Sequence, residues 1–218
     1  AEYGTLPTTA ERTGYTQNGW WTTANGGTQI SATTTMETEG ATVYAHWTAN
    51  KYLVTLKANA QGSGIADQKF YVTHDQTFGA GLTALEDGTA TSLSNFDLDK
   101  YGAWPGRVFG GWYRTAYEVG ASVAGATAIT DNTDVTDIAE ITLFAYWTYN
   151  KYTITFDSNG GVTADPQTKV VTYNSTYGTL AKTTREGYTF NGWWTAKDVS
   201  ATVTADDKVL ITADTTLY

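Results

Sequence analysis

Residues 151–196 read KYTITFDSNGGVTADPQTKVVTYNSTYGTLAKTTREGYTFNGWWTA, and this stretch decides the fold. In KYTITF, large apolar side chains alternate with threonines, the period-two pattern of a strand with one buried face. Asn159 and Gly160 follow, and both residue types adopt the positive φ angles that a tight hairpin turn requires. The segment KVVTY at 169–173 is the predicted partner strand.

The second half of this stretch carries the aromatic phrase. Residues 180–188, LAKTTREGY, predict one helical turn that ends at Gly187. GYTFNGWW reads as a strand with a bulge at Gly192. Successive strand residues face opposite sides, so Trp193 and Trp194 diverge, and we expect at least one ring of the pair in the core.

The aromatic phrase recurs along the chain. GYTQNGWWTTA occupies residues 14–24 and GRVFGGWYRTA occupies 106–116. A second phrase recurs as well, VYAHWTANKYLVTL from Val43 and LFAYWTYNKYTITF from Leu143. Such self-similarity is the mark of a repeat architecture. The core argument for Trp193 and Trp194 extends to the equivalent pairs, which are Trp20 with Trp21 and Trp112 with Tyr113.

The repeats predict three tandem copies of one small domain. The first copy, residues 1–49, is partial because its opening strands are missing, which would leave strand edges open to pairing. The second, residues 50–149, carries an insertion at about 83–103. The third, residues 150–218, has its last strand cut short. The phrases WTANKY and WTYNKY join the copies without a flexible Gly/Ser linker, so we expect an extended rod of stacked copies.

The composition agrees with a mostly β protein and excludes several functions. The 218 residues include 15 Tyr and 8 Trp, which suit pleated sheets. There is no Cys, which excludes disulfides and thiolate metal sites. The net charge of -9 disfavours nucleic-acid binding. No apolar run reaches the roughly 18 residues that a membrane-spanning helix needs, so membrane insertion is not expected.

The order YTITFDSNGG, GYTFNGWWTA and a closing strand ending in AHW resembles the Listeria–Bacteroides repeat, the B-repeat family first recognised in internalins. The resemblance implies β-grasp-like domains, each a mixed sheet with one short helical turn. It also implies a bacterial cell-surface or secreted protein and an extracellular location. The family shares no catalytic residues, so the resemblance implies neither an enzyme nor a cofactor.

The two histidines are interpreted as packing residues. His46 stands where the next copy has Tyr146, and His74 stands where the third copy has Tyr173. An aromatic residue replaces each histidine, whereas a catalytic histidine would be expected beside a serine or carboxylate group.

The sequence DNTDVTD places Asp131, Asp134 and Asp137 three residues apart. Oxygen-rich clusters can bind Ca²⁺, although this one lacks the spacing of an EF-hand loop. The simpler interpretation is a solvated acidic loop, and a metal site is the alternative.

The insertion, with Trp104 directly after it, supplies the candidate partner-binding residues Phe96, Tyr101 and Trp104. It either packs on its own copy or binds a partner, because loops on rigid scaffolds often carry binding sites.

Taken with the resemblance, these patterns predict a non-enzymatic stalk or spacer with adhesion as a further role. Its expected partners are neighbouring repeats of the same chain and a host or cell-surface protein or glycan. The alternative function is a carbohydrate-binding module that uses exposed Trp and Tyr rings.

Overall fold

The computed structural model describes residues 1–8, 10–84, 93, 104–197 and 201–218. Its elements, in chain order, are β1 Tyr15–Trp21, β2 Gln29–Ile30, β3 Tyr44–Ala49, β4 Lys51–Lys57, β5 Gln68–Thr73, α1 Phe78–Gly81, β6 Thr83–Ala84, β7 Arg107–Tyr113, β8 Ile141–Tyr149, β9 Lys151–Phe156, β10 Thr168–Thr172, β11 Trp193–Trp194, β12 Thr202–Val203 and β13 Thr215–Leu217. The protein is therefore mostly β, as predicted.

The middle copy forms a mixed five-stranded sheet in the order β6-β5-β4-β8-β7. Strands β4 and β5 are an antiparallel hairpin, whereas β4 and β8 run parallel, with Val54 opposite Ile141. Strand β8 then pairs antiparallel with β7, which carries the aromatic phrase. The phrase is thus held at one edge of the sheet.

The first and last copies reproduce parts of this arrangement. In the last copy, β9 pairs antiparallel with β10 and parallel with β13, as β4 does with β5 and β8. In the first copy, β1 pairs antiparallel with β3, as β7 does with β8. Each aromatic phrase also places a Trp opposite an aliphatic residue: the pairs are Trp20 with Ile30, Trp112 with Ile129 and Trp193 with Val203.

The strand predicted over GYTFNGWW is limited to Trp193–Trp194 in the last copy, and its pairing with β12 has no register shift at the predicted bulge, Gly192. The equivalent phrases of the other two copies do contain a bulge. The β1–β3 register shifts between Gln17 and Trp20, and the β7–β8 register shifts between Phe109 and Gly111. In the last copy, Gly192 has a φ of 107°, close to the 118° of Gly111. These angles favour glycine because a Cβ atom would be strained there.

The predicted turn at Asn159 and Gly160 is confirmed, but it is not the tip of a tight hairpin. Both residues have positive φ, 47° and 84°, and Gly161 N donates to Ser158 O at 2.9 Å. Strands β9 and β10 pair as predicted, and residues 157–167 connect them.

The predicted helical turn at 180–188 is wrong. Residues 182–184 run extended beside residues 162–165: Val162 N donates to Thr184 O at 2.7 Å, and the Thr183 hydroxyl donates to Val162 O at 2.5 Å. Residues 185–188 form a tight turn, in which Tyr188 N donates to Arg185 O at 3.0 Å. Two adjacent β-branched threonines favour this extended course over a helix. Within the described residues the helical turn lies at Phe78–Gly81, where the Thr77 side chain accepts from Ala80 N.

The apolar side chains form two separate cores among the described residues. Trp112 lies in the middle core with Val54, Phe70 and Leu143, and Trp193 lies in the last core with Ile154. Trp193 is 2% exposed, so the pair of the last copy places one ring inside, as expected.

The first copy does not meet the expectation of a core tryptophan. Trp20 and Trp21 are both half-buried. The reason is the small sheet: β3 has β1 on one side, and no strand of the described residues lies on its other side, where β8 has β4.

Candidate functional site: contacts between neighbouring copies

The first and middle copies meet at what we term the first junction, formed by Gly14, Tyr15, Asn50, His74 and Asp75. The Asn50 N–H donates to Gly14 O at 2.9 Å, and the His74 N–H donates to Asn50 O at 2.9 Å. One residue between β3 and β4 therefore ties the aromatic strand of the first copy to the β4–β5 hairpin of the next.

The ring of His74 covers the buried Gly14. A Cβ atom built on Gly14 would lie 2.1 Å from the imidazole, well inside the 3.0 Å below which non-bonded Cβ contacts are essentially never found. Gly14 also has a φ of 79°, which an L side chain rarely adopts. Both observations explain why glycine begins the aromatic phrase.

The second junction, formed by Gly106, Tyr149, Asn150, Tyr173 and Asn174, repeats this arrangement between the middle and last copies. The Asn150 N–H donates to Gly106 O at 2.9 Å, and the Tyr173 N–H donates to Asn150 O at 2.8 Å. A Cβ atom on Gly106 would lie 2.2 Å from the Tyr173 ring. The two junctions thus share their backbone hydrogen bonds, although the ring that covers the glycine is an imidazole at the first and a phenol at the second.

The asparagine side chains add a further shared contact. Asn50 and Asn150 each direct Nδ2 at the hydroxyl of the tyrosine two residues on, Tyr52 at 3.5 Å and Tyr152 at 3.2 Å. Asparagine at both positions therefore links the connecting residue to the next strand through its side chain as well as its backbone.

A tyrosine hydroxyl makes a further side-chain hydrogen bond at each junction. At the first, Tyr15 donates to the Asp75 carboxylate at 2.6 Å. This hydrogen bond, ahead of partial burial, raises the pKa of Tyr15 above its ordinary value of 10.0. At the second, Asn174 donates to the Tyr149 hydroxyl at 3.2 Å.

An arginine supports each junction from one side. The Arg12 guanidinium lies 3.6 Å from the centre of the Tyr15 ring. Arg107 faces three rings, with its guanidinium 4.2 Å from Trp104, 5.5 Å from Tyr149 and 5.3 Å from Tyr173. The second junction therefore has the more extensive cation–π support.

The two histidines make the packing contacts expected of aromatic residues. The ring of His46 stacks on Trp21 with the centroids 4.6 Å apart and the planes inclined by 5°, and its Nε2 contacts Thr23 O at 2.9 Å. His74 packs edge-on against Tyr15 and Tyr52, and its Nδ1 contacts the Asp137 carbonyl at 3.0 Å.

The three candidate metal ligands have separate partners. The Asp131 carboxylate accepts from Leu93 N at 2.5 Å, and the Asp137 carboxylate forms two 2.7 Å contacts with Arg114. Asp134 is exposed, and its backbone pairs with Thr77. Within the described ranges, no three His, Cys, Asp or Glu side chains are grouped as metal ligands would be. A metal site at these aspartates stays a prediction.

Of the candidate partner-binding residues, the structure places Trp104. Its ring lies edge-on to Trp147 at 5.4 Å and packs against the middle core. Phe96 and Tyr101 lie outside the described residues. Partner binding by the insertion stays a prediction.

The last copy carries an aromatic cleft that sequence reasoning missed. Its volume is about 200 Å³, and its lining includes Ser158, Asn159, Phe190, Trp193 and Trp194. Phe190 is 48% exposed, and the neighbouring Tyr188 is 68% exposed. The alternation in GYTFNGWW was the available signal, because it predicts that Tyr188 and Phe190 share one face.

Together, the mixed sheets and the duplicated junctions define a tandem-repeat protein built from short strands and aromatic contacts. The chain belongs to the Listeria-Bacteroides repeat domain family, whose model matches residues 1–46 and 152–218, more than half of the chain. Residues 47–151 lie outside that match, yet they repeat the strand pairings of the two matched regions.

The curated relatives are longer proteins. The chain is 28% identical over 214 residues to a protein of Evansella cellulosilytica named "Putative Gly-rich membrane protein", covering 96% of this chain and 21% of the relative. It is 46% identical over 56 residues to Internalin H of Listeria monocytogenes, covering 26% of this chain and 10% of the relative. This chain therefore spans a minor part of each relative. No solved structure matches it.

One of these relatives is named as a membrane protein. In the part of the chain that the structure describes, no helix has both the length and the apolar character needed to cross a bilayer.

Proposed function

We propose that the chain is a non-enzymatic tandem-repeat segment of a bacterial cell-surface or secreted protein, where it acts as a stalk or spacer and contributes to adhesion. Its units are residues 1–49, 50–149 and 150–218, each with a β-grasp-like sheet, arranged as a rod. The family membership and the names of the relatives support the surface location.

The duplicated junction is the observation that carries this proposal. At both places a backbone hydrogen bond from the asparagine to the buried glycine crosses between copies, a second one ties the asparagine to the next hairpin, and a ring of that hairpin covers the glycine. Bending at a junction would break these hydrogen bonds and move the ring from its glycine. A Gly/Ser linker has no such contacts and bends freely. The way in which the copies are joined therefore supports the stalk function.

The absence of a catalytic role is supported by what the polar groups do. Both histidines contact backbone carbonyls, and the Asp137 carboxylate is paired with Arg114. A catalytic site would instead bring titratable groups together around a cavity, with hydrogen-bonding positions left open for a substrate. The aromatic cleft of the last copy has Asp157 as its acidic residue, and the backbone N–H of Asn159, followed by Lys197, lowers its pKa.

Small-angle X-ray scattering of the intact chain tests the proposal. We expect an elongated particle whose largest dimension is that of stacked copies. A compact, sphere-like scattering profile would contradict the rod. Scattering from a chain with flexible Gly/Ser inserts at Asn50 and Asn150 provides the matched reference for free bending.

Carbohydrate binding is the second candidate, and the exposed rings of Tyr188 and Phe190 favour it. Tryptophan fluorescence should then change when oligosaccharides are titrated, and Tyr188→Ala should abolish the change. An array of bacterial and host glycans without a signal would remove this candidate.

A further inference from the structure

The two strands through which the middle copy is connected to its neighbours lie side by side. Strand β4 begins directly after Asn50, and β8 ends directly before Asn150. The two strands run parallel, in a register that places Val54 opposite Ile141. Both connections to the neighbouring copies therefore lead into one pair of strands.

Parallel pairing puts these two connections at opposite ends of the pair. Lys51 lies three residues before Val54. Tyr149 lies eight residues beyond Ile141, the partner of Val54. These eleven residue steps, at ~3.3 Å each, separate the two ends by about 36 Å along the strands, whereas the strands are only about 5 Å apart sideways. Tension between the two connections therefore acts almost along the strand axis.

Tension in this direction shears the pair. It draws β4 toward its amino end and β8 toward its carboxyl end, so the two strands must slide past each other. Sliding strains the hydrogen bonds between the strands all at once, whereas pulling two strands apart from one end breaks their hydrogen bonds one after another. Because forced unfolding is governed by the barrier to unfolding, the shear arrangement resists a higher force.

The place of the pair within the sheet adds to this resistance. Strand β5 lies beside β4 and β7 lies beside β8, so both strands of the pair are interior to the sheet. The side chains beneath the pair, Val54, Leu56, Ile141 and Leu143, are each at most 3% exposed. Sliding of the strands would have to move these side chains through a closely packed core.

The last copy has the same parallel pairing. Strand β9 runs parallel to β13, with Ile154 opposite Thr215. Asn150 is the single residue between β8 and β9. Tension therefore passes from one pair of parallel strands into the next without a flexible linker between them.

We propose that the middle copy is a load-bearing unit, in which β4 and β8 form a shear clamp against tension along the chain. This inference deepens the proposed stalk function and rests on it, because a stalk transmits tension through Asn50 and Asn150. The clamp resists separation of the two ends of the copy, whereas the junctions fix the orientation of neighbouring copies.

Single-molecule force spectroscopy of the full chain tests the clamp. The chain has no cysteine, so handles can be attached at chosen residues. Lys51→Cys with Lys151→Cys places the handles on exposed residues at the start of β4 and just after β8, and pulls the pair in shear. Val108→Cys with Lys151→Cys keeps one handle and pulls β7 from β8 at one end, because exposed Val108 lies opposite Thr148.

We expect the shear variant to unfold at a force at least threefold higher than the unzipping variant at the same pulling speed. It should unfold in one step that frees the whole stretch between its handles. Chemical denaturation should give the two variants the same free energy of unfolding, so the difference in force reports the direction of pulling. Equal forces, or stepwise yielding of the shear variant at the unzipping force, would overturn the proposal.

The unfolding forces and the scattering profile separate this inference from the stalk function. Equal forces together with an elongated particle would remove the clamp and leave the stalk. A compact particle would remove the stalk, whereas unequal forces would still support the clamp, which belongs to the sheet of the middle copy.

Discussion

The two junctions share a backbone and differ in their side chains. In both, an asparagine N–H donates to the carbonyl of a buried glycine, and an aromatic residue of the next hairpin caps that glycine. The capping ring is His74 in the first and Tyr173 in the second. The outer tyrosine also changes strand, from Tyr15 on β1 to Tyr149 on β8.

These tyrosines occupy matching places in the sheet. Tyr15 lies opposite Ala49, and at the second junction Arg107 lies opposite Tyr149. In each of these two cross-strand pairs one residue is the tyrosine whose hydroxyl bonds across the junction. It lies on the aromatic strand at the first junction and on the neighbouring strand at the second. The comparison teaches that glycine and asparagine set the geometry, while the rings and charges around them are interchangeable within limits.

Replacing the buried glycine should have the largest effect. Gly106→Ala places a Cβ atom 2.2 Å from the Tyr173 ring at a φ of 72°, so the ring must move. We expect a loss of about 3 kcal/mol in the free energy of unfolding, from backbone strain and lost packing together. Chemical denaturation monitored by tryptophan fluorescence measures it.

Gly125 provides the matched control for that substitution. It has a φ of 81° but no atom within 4 Å of a built Cβ, so Gly125→Ala carries the strain without the collision. A Gly106→Ala variant no less stable than Gly125→Ala would show that the ring contact contributes nothing.

Removing the arginines should produce a smaller and unequal effect. Arg107→Ala loses contacts with three rings and should destabilise the chain by about 1–2 kcal/mol. Arg12→Ala loses one ring and an exposed 3.9 Å ion pair with Asp75, and should cost less than about 0.5 kcal/mol. If thermal unfolding shows equal losses of stability for the two variants, the cation–π contacts do not stabilise the second junction more than the first.

Exchanging the capping rings should have a smaller effect still. His74→Tyr and Tyr173→His each place at one junction the ring that the other already holds. We expect each change to cost less than about 1 kcal/mol, because both rings cover a glycine of the same geometry. His74→Ala and Tyr173→Ala are the controls and should be less stable than the exchanges; if they are not, the rings do not serve as caps.

The pH dependence of the first junction should be the smallest effect. The hydrogen bond to Asp75 raises the pKa of Tyr15, so the folded chain holds this proton more tightly than the unfolded chain. The stabilisation is complete below the ordinary pKa of tyrosine and is lost as the pH rises through the raised value. Burial raises the pKa of Tyr177 as well, so a tyrosinate absorbance titration should show late-titrating groups that include both tyrosines, and Asp75→Ala should lower the pKa of Tyr15 and leave that of Tyr177 raised.

Much of the fold could be predicted from the sequence because it depends on local patterns. Alternation in KYTITF predicted β9, and Asn159-Gly160 predicted a turn, since both signals act within a few residues. The helical turn at 180–188 was wrong because contacts with Val162 hold Thr183 and Thr184 extended, and the chain then reverses in the tight turn at 185–188.

The junctions could not be predicted, because they join residues distant in sequence. Gly14 meets His74, and Gly106 meets Tyr173, only after two copies have folded and docked. The available signal was the glycine that opens each aromatic phrase together with the His-to-Tyr replacement. Alternation and ring size predicted that at least one ring of the Trp193–Trp194 pair is interior, but not that it is Trp193. The cleft beside Phe190 could not be predicted, because its lining comes from segments distant in sequence.

The central claim is that the junctions hold neighbouring copies in one relative orientation. The chain contains no cysteine, so Thr115→Cys and Asp206→Cys can carry spin labels on exposed residues of the middle and last copies. Double electron–electron resonance then measures the distance distribution across the second junction. We predict a single narrow distribution that broadens in Gly106→Val; a distribution already broad in the unsubstituted junction, and unchanged by Gly106→Val, would contradict the claim.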